Sequence, residues 1–301
     1  MQLGLIGLGR MGGNMAARLR AAGHEVVGFD RDPALSDVAG LPELAAALTP
    51  PRVVWVMVPP EVTDATVDEV ANGLSAGDTL IDGGNSPFTL DRPRAARLGQ
   101  RGIGYLDVGV SGGVWGRDAG YGLMVGGDPA HVAQAMPLFE ALKPAGPYGF
   151  VHAGPVGAGH YAKMVHNGIE YGLMHAYAEG YELLTASEYV TDVAAVIKSW
   201  RSGTVVRSWL LDLLDRALDE DPGLAGLRGY ADDTGEGRWT VDEAVRLAVP
   251  LHVISAALFA RFRSRQDDSP ALKAVAALRN QFGGHAVRRD GGPGQPTAGT
   301  E

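Results

Sequence analysis

The 301-residue chain contains no cysteine, which excludes disulfide bonds, thiolate metal sites and cysteine nucleophiles. This composition fits a cytoplasmic protein. No apolar run approaches the ~20 residues of a membrane-spanning helix, and the N-terminus lacks the charged start of a secretion signal. Basic residues are not in excess either: the formal net charge of −9 argues against nucleic-acid binding. An anionic substrate would need a local basic cluster.

Alternating strands and helices are predicted for the first half of the chain. Short apolar runs, most of them ending in glycine, mark the strands: LGLIGLG, EVVGFD, VVWVMVPP, DTLIDGGN, GYLDVGVSGG and YGLMVGGD. Such alternation is typical of a doubly wound, mostly parallel α/β sheet. We therefore expect a dinucleotide-binding Rossmann domain over residues 1–158.

The pattern becomes helical after about residue 155, where we find no convincing strand. We expect an all-α substrate and oligomerisation domain over residues 159–286. Thr240 and Glu243 have the spacing of a capping box and would begin its last long helix. The Gly/Pro-rich end, residues 287–301, is predicted to be a flexible tail.

A GxGxxG motif runs from Gly7 to Gly12, between the first strand and the first helix. In a dinucleotide site the first glycine makes the tight turn, the second lets the pyrophosphate approach the backbone, and the third lets helix and strand pack closely. A glycine-rich turn is the alternative, which the position at a strand–helix junction makes less attractive.

Asp30 ends the second strand, 18 residues after Gly12. A carboxylate there can accept hydrogen bonds from both ribose hydroxyls of NAD and would repel the 2′-phosphate of NADP. Arg31 could instead stack on adenine or bind a phosphate, and an Asp-initiated turn before Pro33 is the structural alternative. The sequence favours NAD and leaves NADP open.

A polar stripe lies in GPVGAGHYAKMVHNGIEYG, where positions i, i+3, i+4, i+7 and i+8 share one helix face. A lysine in a partly dry cleft can act as a base, and a glutamate two turns on can act as an acid. The alternative is a solvated helix face, but glycines at 168 and 172 suggest the close approach of a ligand or another helix. The stripe consists of Lys163, His166, Asn167, Glu170 and Tyr171.

Several segments together resemble the decarboxylating 6-phosphogluconate dehydrogenases in their shorter form, within the β-hydroxyacid dehydrogenase superfamily. They are GLIGLGRMGGNMA, DGGNS, DVGVSGGVWG, LMVGGD, GAGHYAKMVHNGIEYG, DTGEGRWT and FARFRSR, and the match continues through RNQFGGH to His285. The superfamily shares the lysine and the asparagine of the stripe but not the HNGIEY continuation.

The resemblance implies oxidation and decarboxylation of 6-phosphogluconate to ribulose 5-phosphate, with NAD or NADP reduced. Lys163 would take the proton from the 3-hydroxyl and then polarise the ketone of the β-keto acid. Glu170 would protonate C1 of the enediol, and Asn167 and His166 would hold substrate hydroxyls. No metal is implied.

The resemblance also implies the binding residues. Arg279 and His285 would reach into the active site of a neighbouring subunit, so that a homo-oligomer is required. The substrate would contact Asn85, Ser111, Gly112, Gly113, His166, Tyr171, Arg261, Arg279 and His285. The cofactor would contact Gly7, Gly9, Arg10, Met11, Gly12, Asp30, Arg31, Val58 and Asn85.

Residue alternatives remain for three of these groups. Asn85 could be a turn asparagine, residues 111–113 a strand-ending turn, and Arg261 part of a solvated basic face. The chain also departs from the longer enzymes at Thr234, where they carry a phosphate-binding lysine. Phosphate binding would then depend on Tyr171, Arg261 and Arg279, with help from Arg238.

Asp232, Asp233 and Glu236 could suggest a metal cluster, but we interpret them as an acidic loop. Two other functions stay open. One is a β-hydroxyacid dehydrogenase for a smaller or non-phosphorylated acid, which Thr234 allows. The other is a dinucleotide-binding protein without catalysis, against which the combination of Lys163, Asn167 and Glu170 argues.

Overall fold

The computed structural model describes residues 1–288. Most of the predicted tail, from residue 289 on, lies outside the described residues. The chain divides into two compact units: residues 1–170 with 235–250, and residues 171–234 with the chain from 251. The expected boundary at 158/159 falls at the start of a long helix, and the division into compact units falls later in that helix, between Glu170 and Tyr171.

Within residues 1–288 the first unit contains a seven-stranded sheet of order β2-β1-β3-β4-β5-β6-β7. Only β5 and β6 are antiparallel, so the predicted mostly parallel, doubly wound fold is confirmed. The strands are β1 (Gln2–Ile6), β2 (Glu25–Phe29), β3 (Val53–Val56), β4 (Thr79–Asp82), β5 (Gly104–Ser111), β6 (Gly122–Gly127) and β7 (Phe150–Gly154).

The central strands are buried on both faces, which explains their continuous apolar sequence. In β3, Val53 and Trp55 point into one hydrophobic cluster, and Val54 and Val56 point into another. The first cluster contains side chains from the helices after β1 and β6, and the second contains side chains from the helices after β2 and β3. The period of two along each strand thus builds a core on each face of the sheet.

Six helices connect the strands or precede β7. The first ends where Gly23 takes a left-handed φ of +84° just beyond it, as expected for a glycine that stops a helix. The helices are α1 (Arg10–Ala21), α2 (Leu41–Ala47), α3 (Pro60–Ala71), α4 (Asp91–Gly99), α5 (Gly116–Ala119) and α6 (Pro129–Leu142), with 3₁₀ turns at Phe88–Leu90 and Gly113–Trp115.

From residue 158 on, the described residues contain helices and no strand, which confirms the predicted helical C-terminal domain. In the second unit, Ile197, Leu211 and Leu218 form a small core with Tyr177 and Tyr181. The helices from residue 158 on, counted over both units, are α7 (Ala158–Ala186), α8 (Val193–Ser199), α9 (Trp209–Glu220), α10 (Glu236–Leu247), α11 (His252–Ser264) and α12 (Pro270–Gly283).

The predicted capping box at Thr240 is wrong. Helix α10 begins four residues earlier, and the Thr240 hydroxyl lies inside it, donating to the carbonyl of Glu236 at 2.7 Å. The predicted single long helix is also divided in two, because Ala248 takes a left-handed φ of +55° and α11 starts only at His252. Among the residues that the structure describes, none of the helices is both long and apolar enough to cross a bilayer.

Candidate active site

A cavity of about 580 Å³ lies where the carboxyl ends of β1 and β3 diverge. This is the point at which the strand order reverses, where doubly wound sheets bind their ligands. Eight of the nine residues predicted to bind the cofactor line it: Gly7, Gly9, Arg10, Met11, Gly12, Asp30, Arg31 and Val58.

The three glycines of the motif have three different environments. Gly7 has φ of +90°, and a Cβ on Gly12 would lie 1.9 Å from the carbonyl oxygen of Gly7, so neither position accepts a side chain. A Cβ on Gly9 would meet nothing within 4 Å. The open space beside Gly9, at the N-terminus of α1, is the cradle that a pyrophosphate requires. The residues present therefore fit a dinucleotide.

Asp30 lines the cavity and also accepts hydrogen bonds from the backbone of two neighbouring loops. Its Oδ2 accepts a hydrogen bond from the backbone N–H of Leu8 at 2.7 Å, and its Oδ1 accepts one from the N–H of Asp32 at 2.9 Å. Each carboxylate oxygen has a second acceptor position, so two remain for ribose hydroxyls. The adjacent Arg31 lines the same cavity.

Asn85, the ninth predicted cofactor residue, does not line this cavity but lies in the loop next to it. A Cβ on Gly84 would be 2.8 Å from the carbonyl oxygen of Val58, so this glycine lets the loop pack against the cavity wall. The amide oxygen of Asn85 in turn accepts a hydrogen bond from Lys163 Nζ at 2.7 Å. The loop thus connects the wall of the cofactor cavity to the lysine of α7.

Lys163 and Asn167 converge on one buried carboxylate. Glu236, 4% exposed, places Oε1 3.3 Å from Lys163 Nζ and 2.8 Å from Asn167 Nδ2, which donates to it. Sequence analysis assigned Glu236 to an acidic loop and missed this role. Its only local signal is an acidic residue at the start of a helix, where acids are common for electrostatic reasons alone.

Two glycines let α7 approach its neighbours. A Cβ on Gly109 of β5 would lie 2.3 Å from Lys163 Cβ, so the absence of a side chain there admits the lysine. A Cβ on Gly168 would lie 2.8 Å from Thr240 of α10, and the single O–H of Thr240 is shared between the carbonyls of Glu236 at 2.7 Å and Met164 at 3.0 Å. The close approach suggested by Gly168 is that of a helix, and it carries Glu236 to Lys163.

A buried polar network supports the Asn85 loop and the start of α7. Asp82 accepts from the N–H of Gly84 at 3.0 Å and from Arg94 Nη1 at 2.8 Å. Asp91 lies 3.0 Å from Nδ1 of His160. Burial lowers and the Asp91 carboxylate raises the pKa of His160, and the carboxylate prevails, bringing it to about 9. Burial raises the pKa of Asp91 to about 6, against the pull of His160. The geometry of Asp82, Asp91 and His160 would suit a metal, but the Arg94 guanidinium already neutralises this cluster.

The other residues of the first unit that were predicted to bind or transform substrate are exposed or partly buried. Ser111 ends β5, and Gly112 and Gly113 follow with φ of +137° and +54°. No atom lies within 4 Å of a Cβ on Gly113, so its backbone is open to a ligand. His166 is exposed and lies 3.1 Å from the amide oxygen of Asn167. Glu170 is partly buried and has no hydrogen-bonding partner among the described residues.

In the second unit, Tyr171 and Arg261 are stacked. The guanidinium carbon lies 3.5 Å from the centroid of the Tyr171 ring, and Arg261 Nη1 donates to the carbonyl of Asp232 at 3.0 Å. The backbone N–H of Thr234 donates to the phenol oxygen of Tyr171 at 3.4 Å. The structure therefore brings together the phenol, the guanidinium and the loop that carries threonine in place of lysine.

Arg279 and His285 lie at the C-terminal end of α12 and just beyond it. Both are exposed, and Asn280 Nδ2 donates to the carbonyl of His285 at 2.9 Å. Asp233, one of the acids considered as a metal ligand, binds Arg265 at 2.7 Å.

Two family models match successive parts of the chain. Residues 2–146 match the family model of the NAD-binding domain of 6-phosphogluconate dehydrogenase. Residues 159–290 match the model of the 6-phosphogluconate dehydrogenase C-terminal domain.

Two curated relatives illustrate a short and a long form. The NAD(+)-dependent, decarboxylating 6-phosphogluconate dehydrogenase of Haloferax volcanii is 42% identical over 96% of this chain and 99% of its own length. The decarboxylating 6-phosphogluconate dehydrogenase of Staphylococcus aureus is 35% identical over 94% of this chain but only 66% of its own length.

Among solved structures, 6-phosphogluconate dehydrogenase from Plasmodium falciparum superposes with a TM-score of 0.80. The two are 25% identical, and the match covers 94% of this chain and 65% of the other. This chain therefore spans about two thirds of the length of the longer relatives.

Proposed function

Because the chain belongs to the 6-phosphogluconate dehydrogenase family, we propose that it oxidises and decarboxylates 6-phosphogluconate to ribulose 5-phosphate. The observation that carries this proposal is the position of the Lys163 amine. It lies 2.7 Å from Asn85, whose loop packs against the wall of the dinucleotide cavity. An amine so placed can serve a carbon that faces a bound nicotinamide.

Lys163 acts first as a base. Its neutral amine removes the proton of the 3-hydroxyl as the bound nicotinamide supplies a hydride acceptor. Asn85 fixes the amine from one side and Glu236 from the other, and the lysine keeps a further N–H or lone pair for the substrate. Lys163 Cβ lies close against Gly109 of β5, where an added Cβ would be only 2.3 Å away, so the base of this side chain packs on the sheet.

The same lysine then acts as an acid. The oxidised substrate is a β-keto acid, and the ammonium of Lys163 polarises the ketone and gives its proton to that oxygen as CO2 leaves. Glu170 delivers a proton to C1 of the enediol while Lys163 takes back the proton of the enediol hydroxyl. The two groups lie seven residues apart on α7, so they share a helix face.

Substrate binding uses backbone and side-chain donors. We assign the carboxylate to Ser111, Gly112 and Gly113, and hydroxyls to His166 and Asn167. The open backbone at Gly113 and the exposure of His166 support these roles.

We assign the phosphate to Tyr171 and Arg261, with Arg279 from a neighbouring subunit. The stacking of Arg261 on Tyr171 supports this assignment, because it holds the guanidinium carbon 3.5 Å from the centroid of the Tyr171 ring. Thr234 donates its backbone N–H to the phenol oxygen of Tyr171, so this loop holds the Tyr171 hydroxyl in place.

We propose NAD as the preferred dinucleotide. Asp30 lines the cavity at the end of β2, where its carboxylate would repel a 2′-phosphate. The name of the Haloferax volcanii relative specifies NAD dependence. Arg31 keeps NADP as the weaker alternative.

We also propose a homo-oligomer in which Arg279 and His285 complete the site of a neighbouring subunit. Helix α12 exposes apolar side chains that a second copy would cover: Leu272 (55%), Val275 (49%) and Leu278 (68%). Such a row of exposed apolar residues is characteristic of an association surface.

The experiment that tests the proposal follows NADH absorbance with 6-phosphogluconate, gluconate and 3-hydroxyisobutyrate, each with NAD and with NADP. We expect reduction with 6-phosphogluconate and preference for NAD. Reduction with another acid alone would identify a different β-hydroxyacid dehydrogenase. Dinucleotide binding without reduction by any acid would indicate a non-catalytic protein.

A further inference from the structure

Glu236 holds the Lys163 amine in the proposed function, but no part in proton transfer is assigned to it there. Its side chain is 6% exposed and that of Lys163 is 13% exposed, so the pair is largely withdrawn from water. Glu236 lies in the first turn of α10, 73 residues from Lys163, and Thr240 fastens that turn to α7. The fold, rather than local sequence, brings the carboxylate to the amine.

The contact between Lys163 and Glu236 has the geometry of an ion pair, in which an ammonium Nζ lies 3.3 Å from a carboxylate Oε1. An ammonium has three N–H donors and no acceptor position. Two of them are directed at Asn85 Oδ1 and Glu236 Oε1. Oε1 of Glu236 also accepts from Asn167 Nδ2, so this oxygen is held in a fixed place between two donors.

The reaction, however, begins with a neutral amine. One proton must therefore leave Lys163 before the 3-hydroxyl can be deprotonated. Lys163 donates to two groups, the amide of Asn85 and the carboxylate of Glu236. An amide does not take up a proton near neutral pH, whereas a carboxylate can. Removal of water by a bound substrate favours the neutral amine and acid over the ion pair, because charges are poorly solvated in a dry site.

We propose that Glu236 positions Lys163 and receives one of its protons when substrate closes the site. The Nζ–H bond breaks and its electron pair stays on nitrogen, while an O–H bond forms at Glu236, so the net charge of the pair does not change. Rotation about the Cε–Nζ bond then turns the lone pair of the neutral amine from Glu236 to the 3-hydroxyl. This inference depends on the proposed function, since it assumes that Lys163 is the base.

Other ionisable groups lie on the elements that carry or contact this pair, and of these only Asp242 is altered below, as a control. They are His166, Glu170, His160 and Tyr161 on α7, Arg238, Asp242, Glu243 and Arg246 on α10, Asp82 at the end of β4 and Asp107 on β5.

The decisive variant is Glu236→Gln, with kcat/KM for 6-phosphogluconate measured against pH. The Gln Oε1 can still accept from Lys163 and Asn167, but the amide cannot take a proton. In the native protein one proton is shared by the pair, so activity should extend well into the acidic range. In the variant Lys163 must lose its proton to solvent, and we expect the acidic limb to move up by at least about one pH unit and activity at pH 7 to fall roughly 10²-fold.

A shift of the acidic limb of the kcat/KM profile to lower pH in Glu236→Gln would overturn the proposal. If Glu236 merely neutralised the ammonium, its removal would make deprotonation of Lys163 easier and shift the acidic limb to lower pH. If it served packing alone, Glu236→Gln would leave the limb in place. Glu236→Asp retains a carboxylate and should recover part of the activity with a limb near that of the native protein; a limb displaced as far as in the Gln variant would contradict us.

Two controls separate this test from the proposed function itself. Asp242→Asn removes one negative charge from an exposed position of the same helix and should leave the profile unchanged. Binding of NAD, followed by fluorescence, should be the same in Glu236→Gln and native protein, because Glu236 does not line the dinucleotide cavity. Absence of activity in the native protein would refute the function, whereas an unmoved limb would refute only the role of Glu236.

Discussion

Asp107 and His160 are joined by a charge-assisted hydrogen bond in which Asp107 Oδ2 accepts from the backbone N–H of His160 at 2.9 Å. The same carboxylate accepts from the N–H groups of Gly157 at 2.7 Å and Gly159 at 2.8 Å. Asp107 is fully buried on β5. It therefore caps the N-terminus of α7 and fixes the helix that carries Lys163 to the sheet.

Replacing Asp107 with Ala should destabilise the first unit by about 3 kcal/mol, because three buried N–H donors lose their acceptor. Urea unfolding followed by tryptophan fluorescence measures this loss. Asp68→Ala removes an exposed carboxylate paired with Arg97 and serves as the control, with an expected change of no more than about 0.5 kcal/mol. Equal stability of the two variants would show that Asp107 does not anchor the helix.

The His160–Asp91 pair predicts a pH dependence of stability. Because the pKa of His160 is raised to about 9 from 6.5, its contribution is fully present below pH 6.5 and is lost as pH rises through 9. The size of that contribution is roughly 3 kcal/mol. Unfolding free energy measured from pH 6.5 to 9.5 should fall accordingly in the native protein, and the fall should be absent in His160→Gln. The same slope in both proteins would assign the effect to other groups.

Substitutions at two glycines of the motif should affect different properties, NAD binding in one case and folding stability in the other. Gly9→Ala places a methyl group in open space, so the protein should fold normally and lose at least about tenfold in NAD affinity, because the methyl group occupies the pyrophosphate cradle. Gly12→Ala places it against the carbonyl of Gly7 and should lower the melting temperature. Calorimetric titration and thermal melting of both variants check this. Unchanged NAD affinity in Gly9→Ala would place the pyrophosphate elsewhere.

Arg261 and Arg265 lie one helical turn apart but differ in their partners. Arg261 stacks on Tyr171, whereas Arg265 is paired with Asp233. Arg261→Ala should raise KM for 6-phosphogluconate roughly 10- to 100-fold, since a charge-assisted contact to phosphate is lost. Arg265→Ala should change it less than about threefold. Steady-state kinetics that rank the two variants in reverse order would move the phosphate site.

Local motifs allowed the cofactor half of the fold to be predicted. The roles of Gly7, Gly9 and Gly12 follow from the backbone within a few residues, and the buried strands have an unmistakable apolar sequence. Strand β7 escaped prediction because three of its five residues are exposed and its sequence, FVHAG, carries no apolar run. The break at Ala248 did have a signal in Pro250, two residues beyond it, but the apolar spacing on both sides favoured one continuous helix.

The candidate site was only partly predictable for a different reason. The helical spacing of Lys163, Asn167 and Glu170 is a local property and is visible in the sequence. The contact with Glu236 joins segments 73 residues apart and depends on how α10 packs at Gly168. An isolated glutamate in TGEGRW gives no indication of this contact, so the acidic loop was the natural interpretation.

The central claim is that Lys163 performs the proton transfers, and Lys163→Met tests it most directly. Turnover of 6-phosphogluconate and release of CO2 should be measured with saturating NAD, beside NAD binding to the same sample and beside Lys198→Met, which removes an exposed lysine of α8. We predict that Lys163→Met binds NAD normally and loses about 10³-fold or more in kcat, while Lys198→Met keeps full activity. A Lys163→Met protein that retained a tenth or more of native turnover would contradict the account.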